Sequence, residues 1–211
     1  MTVAAVMTYD SLVNDIQTYL ERTDDQTLEK IPQFIMLTEQ IIAAEIKFLG
    51  NLTVVTSTMV ASDNVIPKPA RWRKTVSMNV TVSGKRQPVF LRTYEYIREY
   101  WPNPTSTDVP LFFCDYDYEH WLIGPTPALG YSYEVLYYER VQPLDSSNQS
   151  NWFTQYAPQA LLYGSLLQAM PFIKNDERMP MWQTNYDRII EVLKTENTIR
   201  GADRQAIARD S

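Results

Sequence analysis

Apolar side chains recur every three or four residues near the N-terminus, which is the spacing of amphipathic helices. The first such stretch begins after Thr8 or Asp10, either of which is a suitable N-cap. A second helix starts near Thr27 or takes Pro32 into its first turn, and Gly50 is its expected C-terminal cap. The apolar faces of these two helices consist of Leu12, Val13, Ile16, Tyr19 and Leu20, and of Phe34, Ile35, Leu37, Ile41, Ile42, Ile46 and Leu49.

The same spacing returns over residues Asn151–Leu193 and predicts two antiparallel helices joined by a tight, charged turn. Pro158 fits a first helical turn, and Pro171 is expected to kink or end the helix that it belongs to. Asn175 or Asp176 is the expected cap of the next helix. The apolar positions are Leu161, Leu162, Leu166 and Met170, then Trp182, Tyr186, Ile189, Ile190 and Leu193, with the small residues Ser165 and Ala169 beside the first group.

Between these helical regions the pattern changes to alternation of apolar and polar residues, which is typical of strands. A strand is predicted from Leu52 and a hairpin around Ser83–Gly84, in which Pro88 fits best on an edge strand or just outside the pairing. A short helix, TYEYIREYW, follows; a second hairpin turns near Asp117, and GYSYEVLYYERV forms a further strand.

These elements predict an α+β fold, in which the N- and C-terminal helices form an antiparallel bundle with an inserted antiparallel β-rich module, sandwich-like or barrel-like. The expected divisions are residues 1–50 for the N-terminal helices and 51–148 for the β-rich insertion with its short helix. Residues 149–195 form the C-terminal hairpin, and residues 196–211 are expected to form an extended tail.

An extended tail is expected because the apolar stripe ends after Leu193. ENTIRGADRQAIARDS contains Gly201 and mixed charges, so it is predicted to be mobile alone. Its sparse apolar residues could still anchor on a partner and fold there. They are Ile199, Ala206 and Ile207.

The composition supports a folded protein with large interaction surfaces. Hydrophobic residues make up 45% of the 211 residues and aromatic residues 12%, with 14 tyrosines and five tryptophans, side chains that suit core edges and interfaces. The formal net charge of −6 argues weakly against wrapping DNA or binding anionic lipid. A single cysteine, Cys114, excludes an internal disulfide. No apolar run approaches the roughly 20 residues of a membrane helix, and MTVAAVMTYD does not resemble a secretory signal.

Candidate chemistry is sparse, so no catalytic residue, cofactor or metal ligand is predicted. The one histidine, His120, has no accompanying nucleophile motif. Asp115, Asp117 and Glu119 alternate as on one strand face, which could bind a cation but more often marks a solvated edge. Two short basic clusters bracket a hairpin strand; they read as charged strand ends or as contacts for DNA or an acidic partner. They are Arg71, Arg73 and Lys74, and Lys85 and Arg86.

Three segments combine into a pattern that resembles the head-to-tail connector (adaptor) proteins of short-tailed bacteriophages and prophages. They are, in order, IPQFIMLTEQIIAAEIKFLG, DVPLFFCDYDYEHWLIGPTPALGYSYEVLYYERVQPL and NWFTQYAPQALLYGSLLQAMPFIKNDERMPMWQTNYDRII. The most specific parts are Pro110, Tyr116, Trp121 to Pro125, Pro127, the Tyr137–Tyr138 pair with Pro143–Leu144, and the closing hairpin. The resemblance spans roughly Tyr9 to Leu193.

The resemblance implies a structural virion protein without a catalytic motif. Such adaptors form a ring, dodecameric in relatives, beneath the portal protein, and offer a β-rich surface to a nozzle or other tail protein. The genome passes through the lumen without sequence-specific binding, and no membrane is involved. The protein would be assembled in the host cytoplasm and reside in the neck of the virion. Its candidate ring or partner contacts are Tyr94, Tyr96, Tyr100, Trp101, Tyr137, Tyr138, Trp152, Ile199, Arg200, Arg204 and Ile207.

Two alternatives belong to other functional classes. A virion-associated cell-wall hydrolase would use carboxylates such as Glu39, Glu119 or Glu139. A carbohydrate-binding tail component would use the aromatic side chains of the short helix as a sugar platform; these are Tyr94, Tyr96, Tyr100 and Trp101.

Overall fold

A computed structural model describes residues 6–46, 52–173 and 177–206, with only the backbone described for residues 200–206. The chain divides into two compact units. The helical unit consists of Met1–Gly50 and Val141–Ser211, and the β-rich unit consists of Asn51–Arg140. The β-rich unit therefore ends at Arg140, and the residues from Val141 onward that the insertion was expected to include belong with the helices.

In chain order the helices are α1 (Tyr9–Leu20), α2 (Asp25–Leu28), α3 (Ile31–Glu45), α4 (Tyr94–Tyr100), α5 (Trp152–Tyr156), α6 (Pro158–Ile173) and α7 (Met179–Ala206). The strands are β1 (Leu52–Thr58), β2 (Val65–Pro67), β3 (Trp72–Val82), β4 (Lys85–Leu91), β5 (Thr107–Asp108), β6 (Phe112–Asp115), β7 (His120–Gly124), β8 (Thr126–Pro127) and β9 (Ser132–Glu139). This content confirms the α+β class.

Helix α6 lies at the centre of the helical unit and packs against α1, α3 and α7. Its small residues permit the close approach: a Cβ atom on Gly164 would lie 2.4 Å from Thr38 Cγ2 of α3 and 3.0 Å from Tyr186 Cε2 of α7. Leu161 and Leu166 are fully buried beside it. The predicted antiparallel bundle is therefore confirmed.

The starts of the helices follow local rules, but one predicted end is wrong. Thr8 caps α1 and accepts a hydrogen bond from the backbone N–H of Ser11, and Pro32 lies in the first turn of α3. Helix α3 ends at Glu45 and its C-cap is Ile46 instead of the predicted Gly50, because Ile46 is extended (φ −117°, ψ 128°) while its side chain is buried in the bundle. Gly50 lies outside the described residues, as do the cap candidates at positions 175 and 176.

The extended tail predicted from Glu196 is wrong as far as Ala206, because α7 continues to that residue. Extending an existing helix adds one hydrogen bond per ordered residue, and Glu, Arg, Ala and Gln are good helix formers. A glycine such as Gly201 costs only about 1 kcal/mol in a helix. Leu193 is the last buried side chain of α7 among the residues as far as Ile199. Ile207 lies outside the described residues.

The strands of the β-rich unit form a seven-stranded sheet in the order β1-β9-β3-β4-β6-β7-β2, and β5 pairs with β8. The sheet is mixed, so the prediction of a purely antiparallel module is wrong. Strands β4 and β6 run parallel, and so do β5 and β8. The physical reason is the crossover through α4, which carries the chain from the end of β4 back to the start of β6.

The predicted hairpin between β3 and β4 is confirmed. Its turn residues Ser83 and Gly84 both have positive φ angles, 49° and 77°, as a two-residue hairpin turn of the I′ type requires. Pro88 pairs with Asn79 of β3, and the pairing of β4 with β6 begins only at Phe90. The prediction for Pro88 is therefore wrong, because β4 is an inner strand and Pro88 lies within its pairing with β3; its missing N–H is tolerated because only one strand pairs at this position.

Both faces of β6 and β7 are covered, which fixes the position of α4. One face contributes Phe113, Trp121 and Ile123 to the main core of this unit. On the other face, Cys114 and Leu122 pack with Ile97 of α4. Gly124 permits this packing, because a Cβ atom there would lie 2.6 Å from Ile97 Cγ2.

Candidate interaction surface

Helix α4 uses little of its own surface to attach to the sheet. Thr93 caps it by accepting a hydrogen bond from the backbone N–H of Tyr96 at 3.3 Å, and Ile97 is its one buried residue. Its three tyrosines remain substantially exposed: Tyr94 is 42% exposed, Tyr96 is 40% exposed and Tyr100 is 46% exposed. The helix therefore presents aromatic rings to its surroundings instead of burying them.

These rings contact one another and neighbouring side chains. Tyr96 and Tyr100 are stacked, with centroids 6.0 Å apart, and Phe112 of β6 meets both rings edge-on at 5.3 and 5.0 Å. Trp101 stacks on Tyr100 at 6.4 Å. On the other flank of α4, Tyr94 stacks on Tyr116 at 6.0 Å. We call these six residues the aromatic surface: Tyr94, Tyr96, Tyr100, Trp101, Phe112 and Tyr116.

Two arginines lie over the aromatic surface. The Cζ atom of Arg92 is 5.6 Å from the Tyr96 ring and 5.5 Å from the Phe112 ring, and the Cζ atom of Arg98 is 5.0 Å from the Tyr94 ring. Among the described residues, neither arginine lies within salt-bridge distance of a carboxylate. Tyr, Trp and Arg are the residues most enriched among interface hot spots. The surface therefore has the composition of a protein contact.

A buried lysine, Lys68, contacts the turn between β6 and β7, which carries Tyr116. The ammonium group of Lys68 contacts the Asp115 carboxylate and the Asp117 carbonyl, and it lies 3.9 Å from the centre of the Trp72 ring. Its side chain is 1% exposed. A buried charge with several partners resists rearrangement, because losing one partner leaves the charge unpaired. The turn is thereby fixed in place.

The conformation of this turn explains why the prediction that Asp115, Asp117 and Glu119 lie on one strand face is wrong. Asp115 ends β6, and Asp117 lies in the turn, where its carboxylate accepts hydrogen bonds from the backbone N–H groups of Glu119 and His120. Partial burial raises the pKa of Asp117, but these hydrogen bonds and the His120 ring outweigh that effect and lower this pKa. The three acidic residues do not share a strand face. Within the described part of the chain, no group of three or more His, Cys, Asp or Glu side chains is arranged to hold a metal ion.

Of the other predicted contact residues, Tyr137 does not lie on the surface. It is 4% exposed and belongs to the core of the β-rich unit, because strand alternation turns its ring inward. Tyr138 is half-buried. Trp152 is half-buried in the helical unit, where it packs on Phe153 and Tyr156.

Three of the four remaining predicted contacts lie on the last turns of α7. Ile199 is 59% exposed. Arg200 and Arg204 belong to the helix, and their side chains lie outside the described residues, as does Ile207.

Two of the three carboxylates considered for hydrolysis, Glu39 and Glu139, have structural partners. Glu39 is 7% exposed, and its carboxylate accepts hydrogen bonds from Asn151 Nδ2 at 2.6 Å and from the Leu144 backbone N–H at 3.2 Å. Burial raises its pKa, and these two hydrogen bonds oppose the rise. Glu139 accepts hydrogen bonds from the guanidinium of Arg71 at 2.7 and 3.0 Å. The structure thus assigns Glu39 and Glu139 to hydrogen-bond networks within their own units.

Two members of the predicted basic clusters, Arg71 and Arg86, are charged residues near strand ends. Arg71 bonds to Glu139, and Arg86 forms an ion pair with Glu134 at 3.1 Å. The first contact links the residue before β3 to the end of β9, and the second links β4 to β9 across the intervening strand β3. These arginines therefore already have carboxylate partners.

Sequence reasoning found the α4 aromatics but missed Arg92, Phe112 and Tyr116. The spacing of Tyr96 and Tyr100, four residues apart, places both rings on one flank of a helix. Phe112 joins them only because β6 runs parallel to β4, a pairing that alternation along the chain does not reveal.

An exposed, arginine-flanked aromatic surface has a composition typical of protein interfaces. The model of the SU10 adaptor protein family matches residues 7–209. The chain belongs to this family and is a phage adaptor protein, which makes it a component of the virion. No curated protein matched the sequence. None of the described helices has the length and apolar character needed to cross a bilayer.

Proposed function

We propose that this chain forms a ring, dodecameric as its resemblance to adaptors implies, between the portal protein and the tail or nozzle of a short-tailed phage. The genome passes through the lumen of that ring during ejection. The protein acts by binding and has no turnover. It resides in the neck of the virion after assembly in the host cytoplasm.

The observation that carries this proposal is the aromatic surface, taken together with the family. A ring subunit needs two different complementary faces, since heterologous contacts close only when each subunit binds its neighbour in the same way. An adaptor also needs a face for each partner along the axis. Exposed Tyr and Arg side chains and the half-buried Trp101, held in place by ring contacts, supply the anchors that such interfaces use.

The charge of the chain favours passage of DNA over retention. The net charge is −6, so a ring of identical subunits is strongly acidic overall. Cationic surfaces hold DNA by displacing its counterions, whereas an acidic or neutral bore gives few phosphate contacts. Arg71 and Arg86 are also partly neutralised by their glutamate partners. We therefore expect a bore that does not grip the genome and shows no sequence preference.

The aromatic surface is also compatible with the alternative function, carbohydrate binding. Stacked, exposed tyrosines such as Tyr96 and Tyr100 resemble the platforms on which sugars stack. Binding on a glycan array, without any association with phage proteins, would favour this second function.

Light scattering tests the adaptor proposal. The mass of the chain is measured alone and after mixing with the portal protein of the same phage, and the mixture is imaged in negative stain. We expect a small species alone and a ring bound to the portal after mixing. A chain that stays monomeric in the presence of the portal would contradict the proposal and favour the glycan-binding function.

A further inference from the structure

The seven-stranded sheet has two edge strands, and they differ in how well they are protected. Strand β2 has three residues. Its last residue, Pro67, has no N–H to donate, and the Val65 N–H is already bonded to the Asp63 carboxylate at 3.0 Å. An additional strand would find few free groups along β2. This edge is therefore closed to further pairing.

Strand β1 forms the other edge and has none of these protections. Its seven residues, LTVVTST, include no charge, proline or glycine. It pairs with β9 over its whole length without a register shift, and β9 is its one strand partner in the described part of the chain. Its outward N–H and C=O groups form the kind of row that natural proteins usually shield with lysine, proline or a bulge. An edge of this kind is a ready template for another strand.

The side chains of β1 are also left half-covered. Thr53, Val55 and Ser57 lie opposite three core residues of β9: Tyr137, Val135 and Tyr133. Val55 packs against that core but is only partly buried. On the opposite face of the sheet Val54 is 55% exposed. A strand added beside β1 would cover both sides at once.

We propose that β1 accepts an extended, uncharged segment of a partner protein in the virion by strand addition. This inference rests on the proposed adaptor function, because that function supplies the partner. Main-chain hydrogen bonds would provide affinity, and side chains on alternate positions would provide specificity.

The two edges also indicate why the occupant is a partner protein and not a second copy of the chain. A neighbouring subunit cannot offer its β2 edge, because Pro67 and the Asp63 contact close it. Pairing of β1 with β1 is a two-fold contact, which joins two subunits and does not continue around a ring. A segment from a different protein avoids both obstacles.

The chemistry of β1 defines the segment that fits it. Beside Leu52, Val54 and Val55 the incoming strand should carry apolar, preferably β-branched side chains, which pack well across strands. Beside Thr56 and Thr58 it should carry Ser or Thr, which form hydrogen bonds there. Charged residues are disfavoured because β1 offers no opposite charge. The segment is expected to match the seven residues of β1 in length.

Hydrogen exchange tests the proposal on the full-length chain. Exchange of the β1 amides is measured for the chain alone and in complexes with the portal protein and with each tail protein of the same phage. We expect the outward amides of β1 to exchange at least about tenfold more slowly in one of these complexes. Complexes that form without any change in β1 would overturn the inference. Protection of β1 when the chain merely self-associates would also overturn it, because the occupant would then be a second copy.

A pair of lysine substitutions provides the matched control. Val54→Lys places a charge on the open edge, whereas Thr81→Lys places one at an exposed position of β3, which has a strand on each side. Val54→Lys should weaken the relevant complex by about tenfold or more and Thr81→Lys by about twofold at most, since an edge charge blocks strand addition. Urea unfolding checks that both variants remain folded.

Equal binding by the two variants would contradict strand addition while leaving the adaptor function intact. A wild-type chain that forms no complex with any of these proteins would contradict both.

Discussion

Helices α6 and α4 use large side chains in opposite ways. Eight of the 16 residues of α6 are buried, and Gly164 and Ser165 let neighbouring helices approach its backbone. Helix α4 buries only Ile97 and leaves Tyr94, Tyr96 and Tyr100 each at least 40% exposed. The apolar side chains of α6 are buried against neighbouring helices and stabilise the helical unit.

The difference separates residues that stabilise the fold from residues that remain available to a partner. Removing a fully buried leucine loses its transfer free energy and leaves a cavity. Removing a half-exposed tyrosine loses ring contacts but creates no enclosed void. The comparison therefore predicts that substitutions on α6 change stability, whereas substitutions on α4 change binding.

Leu166→Ala should have the largest effect on stability. Leu166 is fully buried at the centre of the helical unit. We expect the free energy of unfolding to fall by about 2–5 kcal/mol, the usual range for a buried leucine. Urea unfolding followed by circular dichroism measures it. A loss below that range would mean that the neighbouring helices close around the gap.

Gly164→Ala should come next, because it adds volume where there is no room. The new methyl group would lie 2.4 Å from Thr38 Cγ2 and 3.0 Å from Tyr186 Cε2. Overpacking of this kind costs about 1–3 kcal/mol, although alanine is the better helix former. The same unfolding measurement applies.

Ser165→Ala, at the next position along α6, is the matched control. It adds no volume and removes a buried hydroxyl group that has no hydrogen-bond partner among the described residues. Stability should therefore stay the same or rise. A loss equal to that of Gly164→Ala would show that the close approach of the helices is not the cause.

Glu39→Gln should change the pH dependence of stability. Burial raises the pKa of Glu39 above its ordinary value of 4.5, so the folded state holds the proton more tightly than the unfolded state does. The contribution of Glu39 is therefore fully present below about pH 4.5 and is lost as the pH rises through the raised pKa. Glutamine does not titrate, so the stability of the variant relative to wild type should improve between pH 4.5 and neutral pH.

Urea unfolding at several pH values measures this difference. Glu45→Gln is the control, because Glu45 is exposed and its carboxylate pairs with Lys194 at 3.3 Å. A relative stability of Glu39→Gln that does not change with pH would contradict the assigned role of burial.

Tyr96→Ala should have the smallest effect on stability. Its ring stacks on Tyr100 and meets Phe112 edge-on, contacts that are worth about 1 kcal/mol or less at a half-exposed site. We expect a loss of that size in urea unfolding. A loss as large as that of Leu166→Ala would mean that the aromatic surface is part of the core after all.

Local patterns predicted much of this fold. The Thr8 cap, the Ser83–Gly84 turn and the stripe through Trp182 each depend on residues close together in sequence. The bundle followed because amphipathic helices need partners. The parallel pairing of β4 with β6 did not follow, since it depends on a crossover connection that alternation does not encode.

The candidate surface was predicted in outline but not in full. The tyrosines of α4 stood out because they crowd into a single short helix. Tyr137 was misjudged because a tyrosine on a strand faces the core or the solvent according to register, which is a tertiary property. The helical course of α7 as far as Ala206 does not follow from the apolar pattern, because the stripe stops at Leu193 while the helix continues.

Assembly of a double variant on the portal decides whether the aromatic surface is a contact that the adaptor uses in its complex. Tyr96→Ala/Tyr100→Ala removes two rings of the aromatic surface, and Tyr19→Ala removes a tyrosine of the helical unit that is equally exposed, at 40%. Light scattering measures how much of each folded variant joins the complex that the wild-type chain forms with the portal and tail proteins of the same phage. We expect the double variant to stay folded but to fail to assemble, while Tyr19→Ala assembles normally. A double variant that assembles as fully as wild type would contradict this expectation.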